Sequence, residues 1–198
     1  SYPLIGDAAS IAVVENDPSG APVYAVMRND GTRSGALQIP AGGFRLPCDA
    51  STAEMKQDEE GNSRSLDNLV MDGSGVFNFV MADVPPMLDE LFAHAGQQVT
   101  DYDWFLFHQP NRFMLQKLAD KLNVPYEKMP SNVVEKYGNS SGTTVPAVIA
   151  LNLSERLKTE QFKVCLSGFG VGLTWGAISM NLGPLSFCET VQYPNRSK

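Results

Sequence analysis

The sequence predicts an α/β domain, a mixed five-stranded sheet covered by helices. Three observations carry that expectation. Trp104–Phe107 is continuously apolar and short, as a buried central strand is. Apolar residues repeat at helical spacing on both sides of it. Farther on, Phe162, Val164 and Leu166 alternate with Lys163, Cys165 and Ser167, the period of a strand.

The elements follow in order. Ala12–Val14 is a short apolar run entered through the turn-like Gly6-Asp7, and it reads as a first strand. Asn16–Gly20 is a turn by composition, and Val23–Met27 is a second strand placed to pair with the first as a hairpin. From Pro40 to Asp67 periodicity is lost. Gly42-Gly43, Pro47 and the acidic run Asp58-Glu59-Glu60 predict a long surface loop with at most a short helix. Pro85-Pro86 suit a helix start, followed by Met87, Leu88, Leu91, Phe92 and Ala95 on one face. Asn111 is an N-cap for a helix that buries Met114, Leu118 and Leu122. Ser131–Lys136 is a short helix closed by Gly138, and Thr143 or Thr144 caps the next, with Pro146 in its first turn. Val145, Val148, Ile149 and Leu153 form its buried stripe. Phe169–Gly172 is a tight turn into a last strand, Leu173–Leu182, with Trp175 in the core. Residues 183 onward form a polar, peripheral tail.

The bulk numbers exclude several classes. With 198 residues, 43% hydrophobic and 19% charged, the chain is globular rather than disordered. A formal charge of −7 with no basic run argues against a nucleic-acid partner. Cys48, Cys165 and Cys188 are odd in number and widely spaced, which fits neither a disulfide framework nor a CxxC metal site and points to a reducing, cytoplasmic compartment. No signal peptide and no run long enough to span a bilayer is present.

Three segments place polar or glycine-rich residues directly after an apolar strand or at the opening of a helix: His108-Gln109-Pro110-Asn111, Tyr137-Gly138-Asn139-Ser140-Ser141-Gly142 and Gly168-Phe169-Gly170-Val171-Gly172. In open α/β sheets, such strand ends are where sites collect. Taken alone, a histidine after a strand is ordinarily a packing or surface residue. Asn139 alone is a turn former, Gly170 and Gly172 are turn glycines, Asn111 is a cap and His94 faces solvent.

The motifs taken together say more. His-Gln-Pro-Asn resembles the His-Gln-Ala-Asn motif of β-ketoacyl-acyl-carrier-protein synthase III, a thiolase-fold condensing enzyme. Tyr-Gly-Asn-Ser-Ser resembles that family's Gly-Asn-Thr-Ser element, and Phe169-Gly-Val-Gly-Leu-Thr-Trp-Gly-Ala177 resembles its C-terminal Phe-Gly-Gly-Gly-Phe-Thr-Trp-Gly signature. Gly6-Asp7-Ala8-Ala9 is similar to its Gly-Asp-Gly-Ala turn, and Met71-Asp72-Gly73 with Val76-Phe77 matches a further element. The five stand in family order from Gly6 to Leu182.

The resemblance implies the C-terminal half of a thiolase-like fold. Residues 1–10 would end a preceding N-terminal half, 11–183 would form the domain and 184–198 the tail. It implies a decarboxylative Claisen condensation of an acyl-CoA with malonyl on an acyl carrier protein, in fatty-acid or related biosynthesis, with no cofactor. By position, His108 and Asn139 would donate hydrogen bonds to the malonyl thioester oxygen as it becomes negative. A neutral imidazole in the right tautomer suffices for that. Gly170 and Val171 would supply the backbone of an oxyanion hole, where valine replaces the usual glycine and limits the backbone angles. Asn111, Arg112 and Phe169 would touch substrate or carrier.

The family's nucleophile is a cysteine at a helix N-terminus, and none of the three cysteines here has that setting. The expectation is a fragment or processed product that pairs with an N-terminal half carrying the cysteine and is homodimeric as a full protein. Asn78, Phe113 and Asp120 occupy positions often basic in the family, with Arg112 and Lys121 nearby, which predicts a weakened electrostatic attraction for the carrier. Two alternatives stay open: an acyltransferase of the same superfamily that uses another acceptor, and a non-catalytic partner subunit.

Overall fold

The computed structural model describes residues 4–18, 20–59 and 61–192. Ser19 of the expected turn, Glu60 of the acidic run and positions 193–198 of the tail lie outside the described residues. In chain order the elements are β1 (Tyr24–Asn29), the two-residue strands β2 (Leu37–Gln38), β3 (Lys56–Gln57), β4 (Ser63–Arg64) and β5 (Val70–Met71), then α1 (Gly73–Ala95), β6 (Trp104–Phe107), α2 (Arg112–Leu122), α3 (Val133–Tyr137), α4 (Thr144–Leu153), β7 (Phe162–Gly170) and β8 (Thr174–Leu182).

The main sheet is mixed, in the order β1-β8-β7-β6. β8 is antiparallel to both β1 and β7, and β6 runs parallel to β7. It therefore has four strands rather than five. Residues 12–14 form no strand. Val13 and Val14 are 71% and 91% exposed, and β1 takes its hydrogen bonds from β8 instead of from a hairpin partner. An apolar run becomes a strand only where a neighbour pairs with it.

Both faces of the sheet are buried. Phe105, Phe107, Cys165, Phe169, Trp175 and Ala177 pack with α1 and α2 in one core. Leu106, Phe162 and Val164 face the other way, against Val148 and Leu153 of α4. Cys165 and Ser167, read from the sequence as one side of an alternating strand, are as buried as their neighbours because helices cover both sides.

The longest helix begins at Gly73, twelve residues before the expected start at Pro85. Asp72 caps it, its side chain accepting the N–H of Gly75 at 2.9 Å. Pro85 and Pro86 lie inside it. Proline removes helical hydrogen bonds, yet Val80, Val84, Met87 and Leu88 are buried on the core face, and that burial outweighs the local cost. After Gly183 the chain docks rather than trailing away. The N–H of Leu185 donates to the carbonyl of Leu157 at 2.6 Å, and Cys188 joins the second core. Among the described residues, no helix is long and apolar enough to cross a membrane.

Candidate active site

The parallel pairing of β6 with β7 sets Phe107 opposite Ser167. The two strands therefore end side by side, with His108 following one and Phe169-Gly170 closing the other. The His108 N–H extends the ladder, donating to the Ser167 carbonyl at 2.8 Å. Its ring meets that of Phe169 edge to face, with centroids 5.6 Å apart.

Behind His108 the chain is locked. Gln109 is fully buried. Its Nε2 donates to the carbonyls of Phe107 (3.0 Å) and Pro130 (2.9 Å), tying the end of β6 to the segment before α3. The side chain of Asn111 accepts the Met114 N–H at 2.8 Å through its Oδ1 and caps α2. Arg112 pairs with Glu135 on α3, and both are about half exposed.

Asn139 arrives from a different part of the chain. Gly138 ends α3 with φ +72°, and its backbone lies against that of Gly6. The N–H of Asn139 donates to the Leu4 carbonyl at 2.6 Å, and the N–H of Gly6 donates to the Asn139 carbonyl at 3.1 Å. Two of the five sequence motifs are thus one structural unit. Ser141 takes φ +57°, a region a non-glycine residue enters at a cost. In that conformation its N–H donates to Oδ1 of Asn139 at 2.9 Å, leaving the Asn139 amide hydrogens uncommitted to that bond. Its carbonyl accepts from the hydroxyl of Thr144 at 2.8 Å. The same hydroxyl stands 2.7 Å from Nδ1 of His108. A continuous line, Asn139–Ser141–Thr144–His108, joins the two side chains.

Burial pushes the His108 imidazole down to about 4, with the Ser141 carbonyl beside the ring acting in the opposite direction, so the ring is neutral at pH 7. Val171 is exposed at the rim. It is Gly172, not Val171, that takes the positive φ, +142°, so the valine carries no strain of that kind. None of the three cysteines faces this cluster as an activated thiol. Cys165 is fully buried and desolvation raises its pKa, Cys188 is buried and raised for the same reason, and Cys48 is raised by its hydrogen bond to Asp67. By local pattern Thr143 or Thr144 is a helix cap. Thr143 makes no side-chain cap bond, and the hydroxyl of Thr144 serves His108 instead, across 36 residues that no local pattern spans.

Residues 92–182 match the family model described as 3-oxoacyl-[acyl-carrier-protein (ACP)] synthase III C terminal. The chain is 32% identical over 174 residues to a β-ketoacyl-[acyl-carrier-protein] synthase III of Synechococcus sp. (strain WH7803), covering 88% of this chain and 49% of that protein. It is 31% identical to a putative 3-oxoacyl-[acyl-carrier-protein] synthase 3 of Campylobacter jejuni, covering 92% and 50%. A crystal structure of a 3-oxoacyl-(acyl-carrier protein) synthase from Burkholderia xenovorans superposes with a TM-score of 0.75 at 37% identity, over 85% of this chain and 46% of that one. The Thermus thermophilus synthase III gives 0.66 at 27% identity, over 86% and 49%. The chain spans about half the length of the curated relatives it matches. With its thiolase-like mixed sheet and five motifs in order, the chain belongs to the β-ketoacyl-acyl-carrier-protein synthase III family, to whose C-terminal half it corresponds.

Proposed function

We propose that this chain supplies the decarboxylating side of a ketosynthase III active site. Malonyl on an acyl carrier protein would lose carbon dioxide there, and the resulting enolate would attack an acyl group delivered from acyl-CoA to a cysteine of the N-terminal half. His108 and Asn139 would hold the malonyl thioester oxygen while negative charge develops on it. Hydrogen bonds fixed in advance at such an oxygen are worth roughly 3–4 kcal/mol of barrier each. The observation that carries this reading is the hydrogen-bonded line from Asn139 to His108, which fixes two side chains from separate elements at one strand end. Gly170 and Val171, following Phe169, would provide backbone N–H groups for the acyl-transfer step.

Two features support a second half. No cysteine here is set up as a nucleophile. In addition, α4 is apolar all round. Val148 and Leu153 are buried on the sheet, while Val145, Ala147, Ile149, Ala150 and Leu151 are only partly buried, as on a helix that has a second surface to cover. Homologues named β-ketoacyl-[acyl-carrier-protein] synthase III support the reaction class, as does a priming β-ketosynthase of a polyketide pathway, at 27% identity and a TM-score of 0.56. The full protein would act as a homodimer.

The test is His108→Ala in a polypeptide carrying both halves. Acyl transfer from acyl-CoA should persist while decarboxylation of malonyl-carrier protein is lost. Unchanged decarboxylation would favour a non-catalytic role for this half.

A further inference from the structure

The far end of the sheet carries a second polar cluster. Lys163 lies seven residues before Gly170 along β7, about 23 Å from the strand end that holds His108. Here Lys163 stands opposite Asn181, and Ser179 stands opposite both Cys165 and Tyr24. Partners across a ladder share a face, as do residues two apart along a strand. Cys165 packs in the core with α1, so Tyr24, Ser179, Asn181 and Lys163 turn to that same side. The helix ends at Ala95, and the turn after it brings Gln97 to Ser179, whose hydroxyl donates to Oε1 at 2.9 Å. Tyr24, Gln97, Lys163, Ser179 and Asn181 line a cleft of about 150 Å³, with Ala21 and Pro22 as an apolar wall.

The donors around this cleft are uncommitted. Among the described residues, the Lys163 ammonium has no ion pair. Neither it nor the Asn181 carboxamide, the Tyr24 hydroxyl or Nε2 of Gln97 has a hydrogen-bond partner there. Four donors with one positive charge call for an acceptor with one negative charge. A dianion is disfavoured by the nearby Asp103 carboxylate, which accepts the backbone N–H of Lys163 at 2.8 Å. The volume equals that of about five waters, room for a few carbons.

We infer that this cleft is a binding site for a small aliphatic monocarboxylate, separate from the proposed condensation site. Lys163, Gln97 and Asn181 hold the carboxylate, and Ala21 and Pro22 take the aliphatic end.

The probe is sodium butyrate, titrated into the full 198-residue chain at constant ionic strength and followed by ¹H–¹⁵N correlation. The side-chain amide signals of Gln97 and Asn181 should shift and saturate, while those of His108 stay in place. Butyramide, of the same shape without the charge, should bind about tenfold more weakly. Lys163→Met, which keeps the apolar stem, should weaken butyrate by a similar factor, and Asn181→Asp, which puts a like charge in the cleft, should abolish binding. Shifts that never saturate would mean adventitious association only and overturn the inference. So would equal binding of butyrate and butyramide, wild-type affinity in Lys163→Met, or shifts centred on His108. If a variant does not fold, the butyramide comparison on wild type decides. Turnover does not enter, so failure here is distinct from failure of the decarboxylation reading.

Discussion

Gly6 and Gly138 pack backbone against backbone, and neither position has room for a side chain. A Cβ on Gly6 would stand 1.8 Å from the Tyr137 carbonyl oxygen, and one on Gly138 would stand 2.7 Å from the Gly6 nitrogen. The contact lets the Gly6 N–H and the Leu4 carbonyl grip both backbone groups of Asn139. The amide proposed to meet the thioester oxygen is thus held by the far end of the chain.

Gly138→Ala tests that grip. The position has φ +72°, so alanine adds backbone strain to the overlap with Gly6. We expect a loss of about 1–3 kcal/mol in urea unfolding. The Asn139 side-chain amide resonances should shift as well. Stability and resonances both unchanged would mean the loop does not depend on this contact.

Acid should weaken the fold through His108. Its folded value, about 4, lies below the ordinary value of 6.5. Between those pH values the unfolded chain takes up a proton that the folded chain refuses. The stabilisation is therefore complete above pH 6.5 and is lost as pH falls to 4, amounting to about 3 kcal/mol. Urea midpoints of wild type and His108→Gln, compared across that window, should converge toward low pH. Parallel curves would contradict the buried neutral ring.

The cysteines should behave as structural thiols. Cys48 is exposed, with its Sγ 3.3 Å from an Asp67 oxygen, while Cys165 and Cys188 are buried. A disulfide reagent should titrate Cys48 alone in native protein, slowly because the carboxylate holds the thiol protonated, and all three in denaturant. Acyl-CoA should modify none. Acylation of any one of them would remove the need for a second half.

Carrier docking should depend little on salt. Arg112 is paired with Glu135, and exposed Phe113 stacks on Phe77, with centroids 5.9 Å apart. In a protein carrying both halves, affinity for acyl carrier protein should vary only shallowly with ionic strength. A steep loss would mean that basic residues elsewhere dominate.

Much of this architecture was legible in the sequence where local chemistry decides it. Asn111 caps α2, Met114, Leu118 and Leu122 are buried, Gly138 closes α3 and Trp175 is in the core, as the sequence pattern predicts. The misreadings fall where distant contacts overrule local preference. The prolines of α1 mark a start by propensity, yet a helix already nucleated at Asp72 runs through them because its face is buried. Val13 and Val14 have strand composition but no partner strand. At the site, His108 and Asn139 stood out through motifs. The Thr144 hydroxyl between them did not, since a threonine before Val-Pro looks like an ordinary cap and its partner lies 36 residues away.

The most direct test of the central claim is a double-mutant cycle on malonyl-carrier decarboxylation, in a polypeptide carrying both halves. If His108 and Asn139 hold the same oxygen, His108→Ala and Asn139→Ala should each lower the rate about 10²–10³-fold, with the double variant barely slower than either single one. Wild-type decarboxylation in either single variant, with the fold intact, would contradict it.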